Sequence, residues 1–277
     1  MPELPEVETM CRGVASIIGR KIKEVSVPPC RFRPIVIRPA IAAIDELLQN
    51  QRVSGVSRLG KRVVIHAGAQ ALILQPKMSG MVLLDQPPDD EHVRLRIDFV
   101  GKPRLRLLFW DRRGLGTVEL LQDNEIHERI VAGRLGPDAL AIPFDEFCER
   151  LRQTSRSIKV ALLDQKLIAG VGNLYASEML HAAKIHPAKV SALISRPKLK
   201  LLYDAMQQIL ISAIAHEGST LSDGTYRNAL NDPGSYQNEH RVYDRKGLAC
   251  LSCSTGMIQR IVQAQRSTFF CPLCQRA

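Results

Sequence analysis

Hydrophobic residues in the first half of the chain come in short runs broken by turn residues. KIKEVSV (21–27), RVVIHA (62–67), ALILQ (71–75), VRLRIDFV (93–100) and RLRLLFW (104–110) alternate apolar with polar or run apolar briefly. That pattern predicts β-strands, and short strands at this spacing predict a sandwich or barrel. One helix precedes them. Pro5 suits a first helical position, and Val7, Met10, Cys11, Val14, Ile17 and Ile18 recur at helical spacing up to Gly19. Such a stripe packs on a sheet. It would hold the first turn, with Glu3 and Glu6, near a fixed surface.

The period changes near RLGPDALAIP (134–143), and helices are predicted from there on. PFDEFCERLR (143–152), SIKVALLD (157–164) and NLYASEMLHAAKI (173–185) are short ones. A long one runs over 196–218, with Leu199, Leu202, Met206, Ile209, Ala213 and Ile214 on one face and Gly218 as its stop. The polar stretch 220–240 is long for a loop in a compact fold, which marks it as functional or mobile. No internal repeat or low-complexity segment interrupts this order.

Composition adds a partner class. The 277 residues carry 38 Lys+Arg against 28 Asp+Glu, a net charge of +10. A basic protein of this size fits a polyanion, nucleic acid first. Charge is concentrated at the end: Arg241 to Ala277 holds six Lys/Arg and one acid, Asp244. No apolar run is long enough to span a membrane, and no basic-then-apolar leader opens the chain. A cytoplasmic protein without membrane partners is expected.

Of seven cysteines, Cys11, Cys30 and Cys148 are scattered and read as buried small apolar residues. The other four form CLSC (250–253) and CPLC (271–274), seventeen residues apart. Two C-x₂-C knuckles around a hairpin-sized insert are a tetrahedral zinc site. Cys250, Cys253, Cys271 and Cys274 close the coordination shell, so the metal is structural. The insert reads as two strands around the turn QAQR, with Arg266 at the tip. A zinc-stiffened basic hairpin suits phosphate. Gly170, Val171, Gly172 and Asn173 open a predicted helix, where backbone N–H groups and the helix dipole favour an anion. Lacking a P-loop Lys-Ser/Thr, this turn fits one backbone phosphate better than a nucleoside triphosphate. Lys159 would reinforce it.

Four separated stretches, MPELPEVET, AGVGNLYASE, GSTLSD and QRSTFFCPLCQ, closely resemble the bacterial formamidopyrimidine-DNA glycosylase family, and the resemblance covers essentially the whole chain. It implies an α+β multidomain protein. An N-terminal β-sandwich with a leading helix would span 1–132, and a helical helix–two-turn–helix domain with a lesion-capping loop 133–240. A C-terminal zinc-finger β-hairpin would span 241–277. It implies a monomeric base-excision-repair enzyme that removes oxidised purines from duplex DNA and then cleaves the strand by β,δ-elimination. Pro2, freed by loss of Met1, would be the nucleophile that forms a Schiff base. Glu3 would be the acid/base, Glu6 a supporting carboxylate, and Lys61, in RLGKRV, a lysine near the target phosphate. Asn173 and Arg266 match phosphate-binding positions, and Lys159 matches a lysine of the family's helical domain and is counted with the DNA-binding residues. Met78, Arg113 and Leu115 match the residues that fill the hole left by a flipped base.

Some positions depart from the family pattern. Gln75-Pro76-Lys77-Met78 stands where His-Leu-Gly-Met is usual, Leu115 where Phe is common, and Val160 where Pro is usual. These bear on lesion and opposite-base preference. On the residues alone Met78 and Leu115 read as ordinary loop or core positions. Two alternatives carry less. An endonuclease VIII-like enzyme for oxidised pyrimidines is disfavoured by MPELPE and the retained 219–240 loop. A non-catalytic damaged-DNA-binding protein is disfavoured by intact Pro2, Glu3 and Lys61.

Overall fold

The computed structural model describes residues 2–220, 226, 228 and 232–276. They form two compact units, one of 1–132 with 214–237 and one of 133–213 with 238–277.

The first unit opens with helix α1 (Leu4–Gly13), followed by a tighter 3₁₀ turn over Ala15–Ile17. The sequence pattern predicts one helix to Gly19. The change of winding after Gly13 still buries Val14 and Ile17 completely, but it leaves Ile18 47% exposed, off the expected stripe. Ten further elements follow: β1 (Ile22–Ser26), β2 (Val36–Arg38), α2 (Ile41–Leu48), β3 (Val53–Arg58), β4 (Val63–Ala67), β5 (Gln70–Gln75), β6 (Gly80–Leu84), β7 (Val93–Phe99), β8 (Arg106–Asp111) and β9 (Thr117–Gln122). Helix α2, hidden in the sequence behind Pro34 and Pro39, packs on β1, and its Asp45 accepts the Val25 N–H at 2.6 Å.

The strands make two sheets, ordered β1-β7-β8-β6 and β2-β9-β5-β4-β3. Pairing is antiparallel except between β2 and β9. Their inner faces share one core. Ile97, Leu107, Phe109 and Leu83 come from one sheet, and Val63, Ile65, Leu72, Leu74 and Val118 from the other. This is the expected sandwich. Alternate residues of β4 and β5, Val64, Ala71 and Ile73, point the other way. They are covered with Leu121 and Ile130, which is why these strands read as apolar runs rather than strict alternation. Helix α1 lies against β3, β4 and β6. Cys11 is buried as expected, whereas Cys30 is half-exposed.

The second unit contains α3 (Phe144–Arg152), α4 (Ile158–Leu163), α5 (Asn173–Ala182) and α6 (Arg196–Ala215), whose last turn crosses the unit boundary. The hairpin β10 (Gln259–Gln263) and β11 (Arg266–Phe270) completes it. Of α6, Leu199, Leu202, Met206, Leu210 and Ala213 are fully buried. Segment 214–237 groups with the sandwich rather than with the helices because Tyr226 inserts into the sandwich core. The cysteine module groups with the helical unit because Glu178, on α5, accepts the backbone N–H groups of Arg241, Val242 and Tyr243 at 2.9, 3.0 and 2.7 Å. Among the described residues no helix is long and apolar enough to cross a membrane.

Candidate active site and nucleic-acid interface

The head of α1 is buried although it is acidic. Pro2 is buried, Glu3 is 4% exposed and Glu6 3%. Met1 lies outside the described residues. Glu3 is the N-cap of α1 and Glu6 its third residue, and the two form a capping box. Glu6 Oε2 accepts the Glu3 N–H at 2.9 Å, and the Glu3 carboxylate accepts the N–H of Glu6. The other oxygen of Glu6, Oε1, accepts the Ser219 N–H at 3.0 Å. Both Glu6 oxygens therefore hold backbone, one at the chain start and one at the entry to the 220–240 loop.

Two further residues secure that junction. Gly218 sits at φ +79°, and a Cβ there would lie 2.9 Å from the Glu6 side chain. Tyr226 donates its hydroxyl to the Glu217 carbonyl at 3.0 Å. Burial and the nearby Glu6 charge push its pKa well above the usual phenol value. Residues 221–225, 227 and 229–231 of the loop lie outside the described residues.

Lys61 is half-buried in the turn joining β3 to β4, the strand pair on which α1 packs. Arg58 ties that turn to the helix. It donates Nε to Glu8 Oε2 at 3.0 Å and a guanidinium N–H to the Gly60 carbonyl at 3.1 Å.

The two expected void-filling loops meet at one buried carboxylate. Asp111, fully buried, accepts the Ser79 hydroxyl at 2.6 Å and the N–H groups of Leu115 and Gly116 at 2.8 and 2.7 Å. Arg113 N–H bonds Ser79 Oγ at 3.0 Å. The Met78 loop is closed by Gly80 N–H on the Pro76 carbonyl at 2.8 Å, where a Cβ on Gly80 would collide at 2.4 Å. Met78 is 41% exposed, Arg113 exposed and Leu115 half-buried. Two loops far apart in sequence thus present these side chains from a common base.

In the second unit, Gly170 at φ +103° and the N-cap Gly172 deliver the chain to Asn173, the first residue of α5. Lys159 corrects an expectation. It is fully buried, and its ammonium donates to the Asn173 carbonyl, Asn173 Oδ1 and Ser177 Oγ at 2.9, 3.1 and 2.7 Å. An ammonium has three donors. With these engaged, Lys159 holds Asn173 rather than offering itself to a phosphate. Asn173 Nδ2 donates in turn to the Ser267 carbonyl at 2.9 Å, next to Arg266. Arg266 is exposed and begins β11 after a two-residue turn in which Ala264 and Gln265 have φ of 45° and 60°. That is the turn type that matches strand twist.

The cysteine sulfurs fit a metal. All four lie within 4.8 Å of one another, with Cys250–Cys274 at 3.8 Å and Cys253–Cys271 at 3.7 Å. Tetrahedral zinc with Zn–S near 2.3 Å spaces its sulfurs about 3.8 Å apart. N–H groups of Ser252 and Gly256 point at Cys250 and Cys253 sulfurs, at 3.4 and 3.3 Å. A Cβ on Gly256 would lie 2.6 Å from Cys271 Sγ. These four residues hold one structural zinc, which stiffens the knuckles beneath the hairpin.

Gly218 is read in the sequence only as a helix stop, and sequence patterns miss Arg58, Ser79, Asp111, Glu178 and Tyr226. Only Asp111 carries a local signal, as the acid that opens a glycine-bearing turn.

Comparison with known proteins agrees with these features. The family model described as formamidopyrimidine-DNA glycosylase N-terminal domain matches residues 1–118. The formamidopyrimidine-DNA glycosylase H2TH domain matches 135–225, and the zinc finger found in FPG and IleRS matches 247–277. The chain is 35% identical to the formamidopyrimidine-DNA glycosylase of Streptococcus pneumoniae, covering 100% of this chain and 99% of that one. It is 38% identical to that of Solibacter usitatus, with both chains fully covered. Among solved structures, a Lactococcus lactis FPG variant in complex with Fapy-dG-containing DNA aligns with TM-score 0.88 at 34% identity over the whole of both chains. The Lactococcus lactis Fpg complex with abasic-site DNA gives 0.88 at 33% identity, over 99% of this chain and 100% of that one. The chain therefore belongs to the formamidopyrimidine-DNA glycosylase family.

Proposed function

We propose that this chain is a base-excision-repair DNA glycosylase and abasic-site lyase acting, as a cytoplasmic monomer, on oxidised purines in duplex DNA. The observation that carries the reading is the buried Pro2–Glu3 head of α1 in a chain that matches the family from end to end. Removal of Met1 makes Pro2 a secondary amine. An α-amino group has a pKa near ~8, so part of it is neutral and nucleophilic at physiological pH.

The Pro2 nitrogen bonds to C1′ as the bond from C1′ to the damaged base breaks, and the N–H proton the amine sheds balances the proton the departing base takes up. Glu3 gives a proton to the sugar ring oxygen, and the ring opens to an iminium. A tertiary iminium has no N–H to lose, so its charge persists and acidifies the C2′ protons. Loss of a C2′ proton expels the 3′ phosphate, a second elimination expels the 5′ phosphate, and water releases the sugar fragment from Pro2. Glu6 fixes the geometry of this start by holding Glu3 and Ser219. Lys61, Asn173 and Arg266 contact backbone phosphates, Lys159 acting through Asn173. Met78, Leu115 and Arg113 fill the void and pair the orphaned base once the target has left the stack, a step costing a few kcal/mol.

Single-turnover excision from duplexes carrying 8-oxoguanine, a formamidopyrimidine or an oxidised pyrimidine tests the substrate class. Faster release of the two purine lesions is expected. Preference for the pyrimidine, or release of none, overturns it.

A further inference from the structure

Beside the Arg113 loop lies a second basic loop, Arg31–Phe32–Arg33, that none of the roles above uses. All three residues are exposed. Gly114 joins the loops: it has φ +60°, and a Cβ there would stand 2.6 Å from the Arg33 carbonyl. No side chain fits between them, so they share one surface.

The loop has a rigid backing. Phe32 stacks on His92 with ring centroids 4.5 Å apart and planes 10° apart, and His92 meets the Trp110 edge at 5.6 Å. Asp89 Oδ1 fixes His92 through its backbone N–H and Nδ1, at 2.9 and 2.8 Å. The Arg31 guanidinium lies over the Phe32 ring, 5.1 Å from its centroid. Its ion pair, with Glu91 at 3.2 Å, is between groups 75% and 57% exposed, the kind that contributes little and exchanges readily. Among the described residues Arg33 has no hydrogen-bond or ion-pair partner.

Arg31, Arg33, Arg112 and Arg113 are therefore exposed on two touching loops, with Glu91 the acid paired to Arg31. A guanidinium held by stacking on a stiff loop, as Arg31 is, and an exposed one beside it, as Arg33 is, suit phosphate oxygens. We propose that Arg31 and Arg33 bind phosphates of the undamaged strand, beside the base that Arg113 faces. The contact extends the DNA interface across the void and anchors the strand that must keep its place when the target base leaves. It rests on the reading of this chain as an enzyme of duplex DNA.

The test is binding of wild type and the R31A/R33A double variant to a duplex with a non-cleavable abasic analogue, by fluorescence anisotropy across salt. Two lost phosphate contacts lower the slope of log K against log salt by about 1.8, at ~0.9 each, so the double variant's fourfold-salt dependence falls about twelvefold. Methylphosphonates beside the base opposite the analogue are expected to weaken wild type but not the double variant. Glu91→Gln, which frees Arg31, is expected to bind more tightly. An unchanged slope, or equal methylphosphonate sensitivity in wild type and variant, overturns the contact. Borohydride trapping of the wild type on abasic DNA reads the chemistry separately. A trapped enzyme with an unchanged slope refutes this contact alone, and failure to trap refutes the wider reading.

Discussion

Glu3 and Glu6 cap one another. The Glu6 carboxylate accepts the backbone N–H of Glu3 at 2.9 Å, and the Glu3 carboxylate accepts that of Glu6. The two carboxylates have different contacts. Glu6 has both oxygens on backbone N–H groups, Glu3 and Ser219, the contacts of a supporting carboxylate. Glu3 is next to Pro2, the proposed nucleophile. Glu3→Gln keeps an oxygen for the cap but cannot deliver a proton. Its unfolding free energy should stay within about 1 kcal/mol of wild type, while base excision slows by roughly 10²–10⁴. Glu6→Ala strands two buried N–H groups and should cost about 2–4 kcal/mol. Urea unfolding with single-turnover excision separates the two.

Asp111→Ala should act together on both loops proposed to fill the void. It leaves the Ser79 hydroxyl and the Leu115 and Gly116 N–H groups without their buried acceptor. A loss of about 2–4 kcal/mol in stability is expected. Discrimination between bases opposite the lesion should fall with it, because Met78 and Arg113 lose their common base. Ser79→Ala should reproduce the specificity change at smaller stability cost. Excision rates against each of the four opposite bases provide the readout.

Lys159→Met should weaken DNA binding without removing a phosphate contact of its own. The substitution leaves Asn173 Oδ1 and Ser177 Oγ without their buried donor. It should destabilise by about 1–3 kcal/mol. Asn173→Ala should weaken binding and lower the salt slope. In Lys159→Met, affinity should fall at all salt concentrations with little change in slope.

The sandwich and the zinc hairpin were legible because each has a local code. Short apolar runs bounded by turns mark the strands, and two C-x₂-C knuckles at hairpin spacing mark the metal. The chemistry proposed for Pro2 and Glu3 comes only through the family resemblance, since Pro-Glu alone describes many exposed chain starts. Arg58 and Glu178 were illegible because the partners that give them their roles lie 50 and 63–65 residues away, and for Asp111 the turn was legible but its tie to Ser79, 32 residues away, was not. Lys159 was misread for a related reason. Nothing in SIKVALLD distinguishes a lysine that faces solvent from one that turns inward to a hydroxyl and an amide.

His240 is expected to make the helical unit acid-sensitive. Burial, with Arg245 nearby, brings its pKa from 6.5 down to about 4. The folded state therefore resists protonation. The stabilisation from neutral His240 is complete above pH 6.5, declines as pH falls from 6.5 to about 4, and is gone below that. It is worth about 3 kcal/mol at neutral pH. His240→Phe, which keeps an aromatic edge against Tyr243, should remove that part of the acid-dependent loss. Unfolding midpoints between pH 7 and ~4 check it.

The central claim is that the α-amine of Pro2 attacks the sugar. Borohydride reduces the iminium this attack creates and locks protein to DNA. The measurement is trapping of correctly processed protein on duplexes carrying a single 8-oxoguanine or an abasic site, beside Pro2→Gly and a form that retains Met1. A covalent adduct with the wild type is expected on both substrates. Pro2→Gly should lose that adduct, and none should form where Met1 leaves Pro2 in a tertiary amide. Absence of an adduct from processed wild type, or an undiminished adduct from the Met1-retaining form, would contradict it.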